Sequence, residues 1–275
     1  MLIRKVFGLF ALAMLVLLVS RVYADVWSSL NWAMLAISMT VTLLVFSCFV
    51  YVFNYSYAAA SVLNSLLIAI LYPTAAGLLL AGLMALYGIR LGAFSWSRIH
   101  SASYAPRVAK TRVADKQMPV FVKGALWIQC CMLYTFHLLA VYLAAQAGIL
   151  SASVIAGGFI IAAGIVIEAV ADAQKQKVKN ISPDAYVASG LFARWRHPNY
   201  AGEIIIQIGL IVVGVGVVTT GWANYLAVSI SPVYIILLMI SECVRADATL
   251  RSRNQDDPAF VEYWRQSGSF IPKLG

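Results

Sequence analysis

The sequence predicts an all-α integral membrane protein that crosses the bilayer several times. Hydrophobic residues make up 62% of the 275 positions and charged residues only 11%, with a mean hydropathy of +0.84. A soluble globule of this size usually carries roughly 25% charged residues, so this chain has too few charges to cover a surface that faces water. The apolar residues also form long uninterrupted runs, which is the pattern of membrane-spanning helices.

Seven of these runs are long enough to cross a bilayer core of about 30 Å at about 1.5 Å per residue. They lie near residues 6–21, 30–53, 73–90, 121–146, 150–171, 202–219 and 221–243. A shorter run, 58–72, ends just before Pro73, and we interpret it as an extension of the second span or a re-entrant piece. An eighth helix is the alternative. We expect residues 1–275 to form a single membrane domain.

The first run, MLIRKVFGLFALAMLVLLVSRVYA, allows two interpretations. Its basic start, apolar centre and small final residue are typical of a cleavable signal peptide. We prefer a first transmembrane helix that is retained, because the later helices insert without needing a signal peptide.

Basic residues are concentrated in three segments between the apolar runs. Of the twenty Lys and Arg residues, seven lie in 90–123, five in 175–196 and five from residue 245 to the end. The turns at 147–150 and 219–221 carry none. By the positive-inside rule the basic segments and the carboxy terminus are cytoplasmic, in a bacterial inner membrane. With seven spans the amino terminus is then external, although Arg4 and Lys5 favour the opposite side.

The net charge of +9 therefore reports membrane topology. Basic and aromatic residues do not alternate as they do in nucleic-acid-binding segments, so we expect no nucleic-acid partner. The cysteines and histidines lack metal-ligand spacing, and we expect no metal site. His137 lies within a span and is expected to be a hydrogen-bonded core residue.

Polar residues inside the spans are the best indicators of function, because a central charge costs roughly 2.5–3.5 kcal/mol on insertion scales. They gather at the span ends that adjoin the basic segments: Tyr87 and Arg90; Glu168, Asp172 and Gln174; Arg196, His197, Asn199 and Glu203; Glu242, Arg245 and Asp247. If the helices form a bundle, these ends share one depth. We therefore expect a polar chamber that opens toward the cytosol and is closed by the cytosolic loops.

The stretch RWRHPNYAGEIIIQIGL places polar groups at the start of a span. Pro198 is suited to the first turn of a helix, where its missing N–H donor is not needed. Asn199 and Glu203 are four residues apart and share one helix face, while Gly202 permits close approach of a neighbour or ligand. An amide beside a carboxylate offers the donor and acceptor groups that a carboxamide such as nicotinamide requires.

Simpler interpretations of the same residues remain open. Asn and Glu at a helix start often serve only as a cap and as a favourable charge for the helix dipole. Arg194 and Arg196 are also typical of anchors at a membrane surface. The lysines of ADAQKQKVKN are more typical of a solvated surface next to the membrane than of a phosphate site. Asp172 is different, because a carboxylate at the end of a span needs a basic partner.

Three segments of the chain resemble the steroid 5-alpha-reductase family, in its bacterial branch. They are IEAVADAQKQKVK, SGLFARWRHPNYAGEIIIQIG and DPAFVEYWRQSGSFIP. The resemblance covers residues 160–275 well and the first half weakly. It implies seven transmembrane helices and the NADPH-dependent reduction of a carbon–carbon double bond conjugated to a ketone, typically in a 3-keto-4-ene steroid.

The resemblance also implies roles for individual residues. Asn199 and Glu203 match the pair that holds the nicotinamide amide, and Tyr87 matches the tyrosine that donates to the substrate carbonyl. Asn54, in FNYSY, stands near the position of the second carbonyl ligand, a glutamate in animal members. The other positions implied to bind the cofactor are Arg90, Asp172, Lys179, Arg196, His197, Arg245 and Tyr263. Residues 1–90 would then form the pocket for a lipid that enters from the bilayer, and residues 121–275 the site for NADPH from the cytosol.

Other interpretations are kept for comparison. Membrane methyltransferases that modify isoprenylcysteine or phospholipids share an RHPxYxG start and use S-adenosylmethionine, but they usually lack the Asn199 and Glu203 pair. A non-enzymatic lipid-binding or transport scaffold would leave buried Asp172 and Glu203 unexplained. Tyr87 alone is also typical of an interfacial aromatic belt, and Asn54 of a hydrogen bond between helices.

Overall fold

The computed structural model describes residues 2–273, with side chains from residue 8 onward, and it confirms the all-α membrane fold. The helices are α1 (Leu2–Tyr23), α2 (Ser29–Thr42), α3 (Tyr57–Leu71), α4 (Ala75–Ile99), α5 (Ala105–Gln117), α6 (Val120–His137), α7 (Leu139–Ala147), α8 (Ala152–Ile181), α9 (Pro198–Val217), α10 (Trp222–Asn254) and α11 (Pro258–Gln266). Helices α6 and α7 adjoin at Leu138 and act as one span. Seven segments are long and apolar enough to cross a membrane, as expected of a multi-pass membrane protein.

The second predicted span divides into two helices. A 3-10 turn, Leu43–Phe46, ends the segment that α2 begins, and a π-helical turn, Val52–Ser56, leads into α3. The run that we interpreted as an extension or re-entrant piece belongs to a full span of its own, Val52–Leu71. The alternative of a further helix at this position is therefore the one observed.

Helix α1 adds a shorter apolar segment to these seven, Gly8–Tyr23. Arg21 bonds to Asn224 at the start of α10, and the ring of Phe10 packs edge-on against Tyr234 further along α10. Helices α1 and α10 are therefore antiparallel, and α1 begins at the end of the bundle where α10 finishes. This corrects the prediction that the amino terminus lies opposite the basic loops, and it agrees with the two basic residues near the start of α1.

Helices α8 and α9 pack with their backbones in direct contact. A Cβ atom added to Gly164 of α8 would lie 2.7 Å from the carbonyl oxygen of Gly202, and one added to Gly202 would lie 2.7 Å from the Cβ of Glu168. Gly157 and Gly209 meet in the same way two turns away. The close approach that the sequence predicts for Gly202 is thus made to a neighbouring helix, and it brings the polar ends of both helices together.

We predict that Gly164→Ala destabilises the protein by about 1–3 kcal/mol, because the added methyl group overpacks a backbone contact. Gly82→Ala is the matched control, since a Cβ there meets nothing within 4 Å and alanine is otherwise favoured over glycine in a helix by roughly 0.5–1 kcal/mol. Thermal unfolding of both variants in detergent measures the difference. Equal unfolding temperatures would show that the α8–α9 contact does not limit stability.

Candidate functional site

A hydrogen-bonded cluster of polar side chains is buried where α3, α4, α6 and α9 meet. Glu203, on α9, is 5% exposed and lies at its centre. Its Oε2 accepts a hydrogen bond from the phenol of Tyr87 (2.6 Å), and its Oε1 accepts from the phenol of Tyr57 (3.1 Å) and from Nε2 of Gln207 (2.8 Å). Both carboxylate oxygens are therefore satisfied by donors, which a buried carboxylate requires.

His137 extends this cluster into α6. Its Nε2 lies 3.1 Å from the Tyr57 phenol and 3.1 Å from Oε1 of Gln207, which confirms that His137 is a hydrogen-bonded residue inside the bundle. The ring of Tyr57 also stacks on Tyr134 and meets Tyr87 edge-on, with centroids 5.1 Å and 5.7 Å apart. Ring packing thus holds the two phenols that converge on Glu203.

An ion cluster lies beside these phenols. Arg90 of α4 pairs with Glu168 (2.6 Å) and with Asp172 (3.0 Å), both on α8, and the three side chains are largely buried. Its guanidinium carbon is 5.7 Å from the centre of the Tyr87 ring. The expected basic partner of Asp172 is therefore Arg90. These two ion pairs hold the Arg90 side chain in place, and its contact with a cofactor phosphate stays a prediction.

Asn199 is buried one turn before Glu203, and its Oδ1 has no hydrogen-bond partner in the described part of the chain. The residue is only 8% exposed. Leaving a buried acceptor unpaired costs about 1–3 kcal/mol, so such an atom calls for an explanation. Glu168 Oε2 is unpaired in the same sense. Since Glu168 is already ion-paired with Arg90 through its other oxygen, the Asn199 oxygen is the acceptor for which the described residues supply no donor.

Arg196 and His197 fasten the carboxy-terminal segment to α10 and do not face this cluster. Two guanidinium nitrogens of Arg196 bond to Asp247 at 2.9 and 3.1 Å, and the third donates to the backbone and hydroxyl oxygens of Ser267. The guanidinium carbon also lies 3.9 Å from the Trp264 ring centre. His197 Nε2 is 2.8 Å from Asp247. Burial lowers the pKa of His197, and the hydrogen bond with Asp247 offsets this only in part.

Backbone bonds complete this attachment, which we call the tail lock: Arg196, His197 and Asp247 with residues 263–269. The amides of Arg196 and His197 donate to the carbonyls of Gly268 and Ser269 at 2.8 and 3.0 Å. The phenol of Tyr263 donates to the Phe192 carbonyl at 3.0 Å, and burial raises the pKa of Tyr263 to about 12. The three residues predicted from the resemblance to bind cofactor, Arg196, His197 and Tyr263, thus hold the tail over the start of α9.

Lys179 and Arg245 lie apart from the buried cluster. The ammonium group of Lys179 donates to the carbonyls of Pro183 and Ala185, two turns beyond Asp172, and so fixes the loop after α8. Arg245 pairs with Glu242 on the exposed surface of α10. It precedes Asp247 by two residues, so the two side chains point to different sides of the helix. The cofactor contacts of both residues stay predictions.

The structure brings Tyr57, and not the predicted Asn54, into contact with Glu203. Asn54 is half-buried and lines a small separate pocket with Arg98, Tyr104 and Arg112. It lies in the π-helical turn before α3, and the wider turn rotates it away from the face that Tyr57 presents. The donor that accompanies Tyr87 is therefore a second phenol.

The comparisons with known proteins identify the family of this chain but assign no activity to it. The family described as "Protein of unknown function (DUF1295)" matches residues 52–267, which include every residue of the buried cluster and most of the tail lock. No curated protein and no solved structure matches the chain. Since the match covers more than half of the sequence, the chain belongs to the DUF1295 family.

Proposed function

We propose that this protein is a membrane-embedded reductase that uses NADPH to reduce a carbon–carbon double bond conjugated to a ketone in a steroid or related lipid. The observation that carries the proposal is a pair of phenols converging on buried Glu203, one helical turn from the unpaired amide oxygen of Asn199. The resemblance to the steroid 5-alpha-reductase family supports the choice of cofactor and reaction.

The residues present fit a nicotinamide. Its carboxamide carries an NH2 group that needs an acceptor, and the Oδ1 of Asn199 is a buried acceptor without a partner. The Glu203 oxygens already accept three hydrogen bonds, so Asn199 would hold the carboxamide and Glu203 would act on the phenols. NADPH, when bound, supplies the hydride that adds to the β carbon of the enone.

The phenols would stabilise the charge that this addition creates. As the β carbon gains a hydride, negative charge moves onto the ketone oxygen, and losing one well-placed donor there typically costs about 3–4 kcal/mol. We assign Tyr87 as the first donor: its phenol donates to Glu203 at 2.6 Å, and a substrate carbonyl would compete for that hydrogen bond. Tyr57 is the second donor, in place of Asn54.

After Tyr87 gives up its proton, a continuous chain of hydrogen bonds would deliver another proton to it. It runs from Tyr87 to Glu203, then to Tyr57 and His137, over donor–acceptor distances of 2.6, 3.1 and 3.1 Å. The overall reaction consumes one hydride at the β carbon and one proton at the α carbon, and yields the saturated ketone and NADP⁺. The chain of side chains is suited to supply that proton within a dry site.

For the contacts to the cofactor phosphates we propose basic residues that form no ion pair. Arg98, Arg107 and Lys175 lie at the same end of the bundle, and none has a carboxylate at ion-pair distance in the part of the chain that the structure describes. Arg98 and Arg107 lie over the Tyr104 ring, at 4.4 and 5.6 Å from its centre. We propose these three cations in place of Arg90, Lys179, Arg196 and Arg245.

We predict that Tyr87→Phe lowers turnover by roughly 10²–10³-fold while NADPH still binds, because the variant loses a donor to the ketone oxygen but keeps Asn199. Tyr57→Phe should also slow turnover. NADPH consumption with a panel of enone lipids measures both effects. Tyr23→Phe is the control, since this tyrosine is 93% exposed at the opposite end of the bundle. Full activity in Tyr87→Phe would exclude its role.

Cofactor protection separates a reductase from a methyltransferase. A ligand at about 100 times its Kd stabilises the folded state by about 2.7 kcal/mol, so NADPH should raise the unfolding temperature of the purified protein. S-adenosylmethionine should leave it unchanged. The reverse pattern would favour the methyltransferase interpretation, and protection by neither would favour a scaffold.

A further inference from the structure

A second pocket opens at the end of the bundle opposite the basic loops. Its volume is about 580 Å³, which is within the range of small-molecule sites. Its walls come from the loop between α1 and α2, the end of α7 and the junction of α9 with α10. The proposed reductase site uses none of these segments. The two sites therefore lie at opposite ends of the molecule.

Arg21 lines this pocket and is only 6% exposed. One guanidinium nitrogen donates to Oδ1 of Asn224 at 2.5 Å, and another contacts the Val26 carbonyl at 3.4 Å. Its Nε has no hydrogen-bond partner. Asp25 also lines the pocket, but it is exposed and is not at ion-pair distance from Arg21. Arg21 is thus a buried cation whose charge is balanced by no carboxylate in the described residues.

The position of Arg21 is unusual for a basic residue in this chain. The turns at this end, 24–28, 72–74, 148–151 and 218–221, contain no Lys or Arg. A basic residue that only anchors a helix would extend outward to water and lipid headgroups. Arg21 instead turns inward, and burying an unbalanced guanidinium costs several kcal/mol unless an anion joins it. An anion from outside the chain would therefore balance the charge of this buried cation.

The other residues that line the pocket indicate which kind of anion it would bind. Asn224 donates one of its two Nδ2 hydrogens to the Thr220 carbonyl at 3.0 Å, which leaves the other as a donor. Ser28 and Tyr142, whose hydroxyl groups bond to each other, also line the pocket, as do the apolar residues Val217 and Leu143. A planar guanidinium with a free N–H suits an oxyanion, and the apolar wall suits an attached hydrocarbon group.

We propose that this pocket binds a phosphate group through Arg21, at the bilayer boundary where phospholipid headgroups lie. A lipid headgroup and a free phosphate share this chemistry. The test uses full-length protein, delipidated in a neutral maltoside detergent, with added phosphatidylglycerol, added inorganic phosphate or added diacylglycerol. Phosphatidylglycerol should raise the unfolding temperature and diacylglycerol, which has the same chains without phosphate, should not. A rise with inorganic phosphate as well would show that phosphate alone suffices, and a rise with the lipid alone would assign the site to the headgroup.

Two variants connect the effect to this pocket. Arg21→Gln should weaken phosphatidylglycerol binding roughly tenfold or more, measured by titration of the unfolding temperature. Ala147→Trp should do the same by filling the pocket, because Ala147 is exposed on its wall and touches no buried core. Arg265→Gln, an exposed arginine at the other end, is the control and should bind like the native protein.

The same titrations can overturn the proposal. Without added ligand, Arg21→Gln should unfold at the native temperature or above it, because an unbalanced buried charge has been removed. A clear fall in the ligand-free unfolding temperature would make Arg21 a structural residue. Equal rises for native protein, Arg21→Gln and Ala147→Trp would show that phosphatidylglycerol acts elsewhere, and no rise in the native protein would show that the pocket does not bind it.

Discussion

The burial of Glu203 is the constraint on which the rest of this bundle depends. A carboxylate inside a membrane protein is stable only with donors around it, and Glu203 receives them from α3, α4 and its own helix. Those helices must therefore hold fixed positions around α9. The glycine contacts let α8 pack closely against α9. They thereby place Glu168, on α8, where Arg90 can pair with it.

The tail lock also holds this site in place, through contacts that lie outside the buried cluster. The segment after α11 is fastened to the residues just before Pro198 through backbone bonds and through the Arg196–Asp247 pair. Since Asn199 lies in the first turn of α9, the lock fixes the start of the helix that carries both the unpaired amide and the buried carboxylate. A ligand that enters from the basic end would thus meet a preorganised surface.

Much of this could be predicted from the sequence, because hydropathy and the positive-inside rule report the depth of residues. Depth alone brought Tyr87, Arg90, Asp172 and Glu203 into one predicted layer, and the structure joins them through two adjoining clusters. Rotation about a helix axis is not encoded in depth. At the π-helical turn, Tyr57 and not Asn54 faces the buried cluster. Arg245 precedes Asp247 by two residues, so its side chain lies on the exposed side of α10.

Some residues were missed although a signal was present. Gln207 follows Glu203 by four residues, so the same spacing argument that linked Asn199 to Glu203 also applies to it. His137 was predicted to be hydrogen-bonded, but its partners lie 80 and 70 residues away and only the fold could identify them. The sequence separates the two runs at 54–57, whereas the break between the helices lies at 47–51, where no proline or glycine marks it.

The central claim is that the free amide oxygen of Asn199 receives the carboxamide NH2 of a nicotinamide. The most direct measurement compares the affinity of the protein for NADPH with its affinity for the reduced 3-acetylpyridine analogue, whose methyl ketone lacks that NH2 group. The native protein should bind NADPH more tightly by roughly tenfold, the value of one buried hydrogen bond of about 1.4 kcal/mol. Asn199→Ala should bind the two alike. Equal affinities in the native protein, or the same preference in Asn199→Ala, would contradict the account.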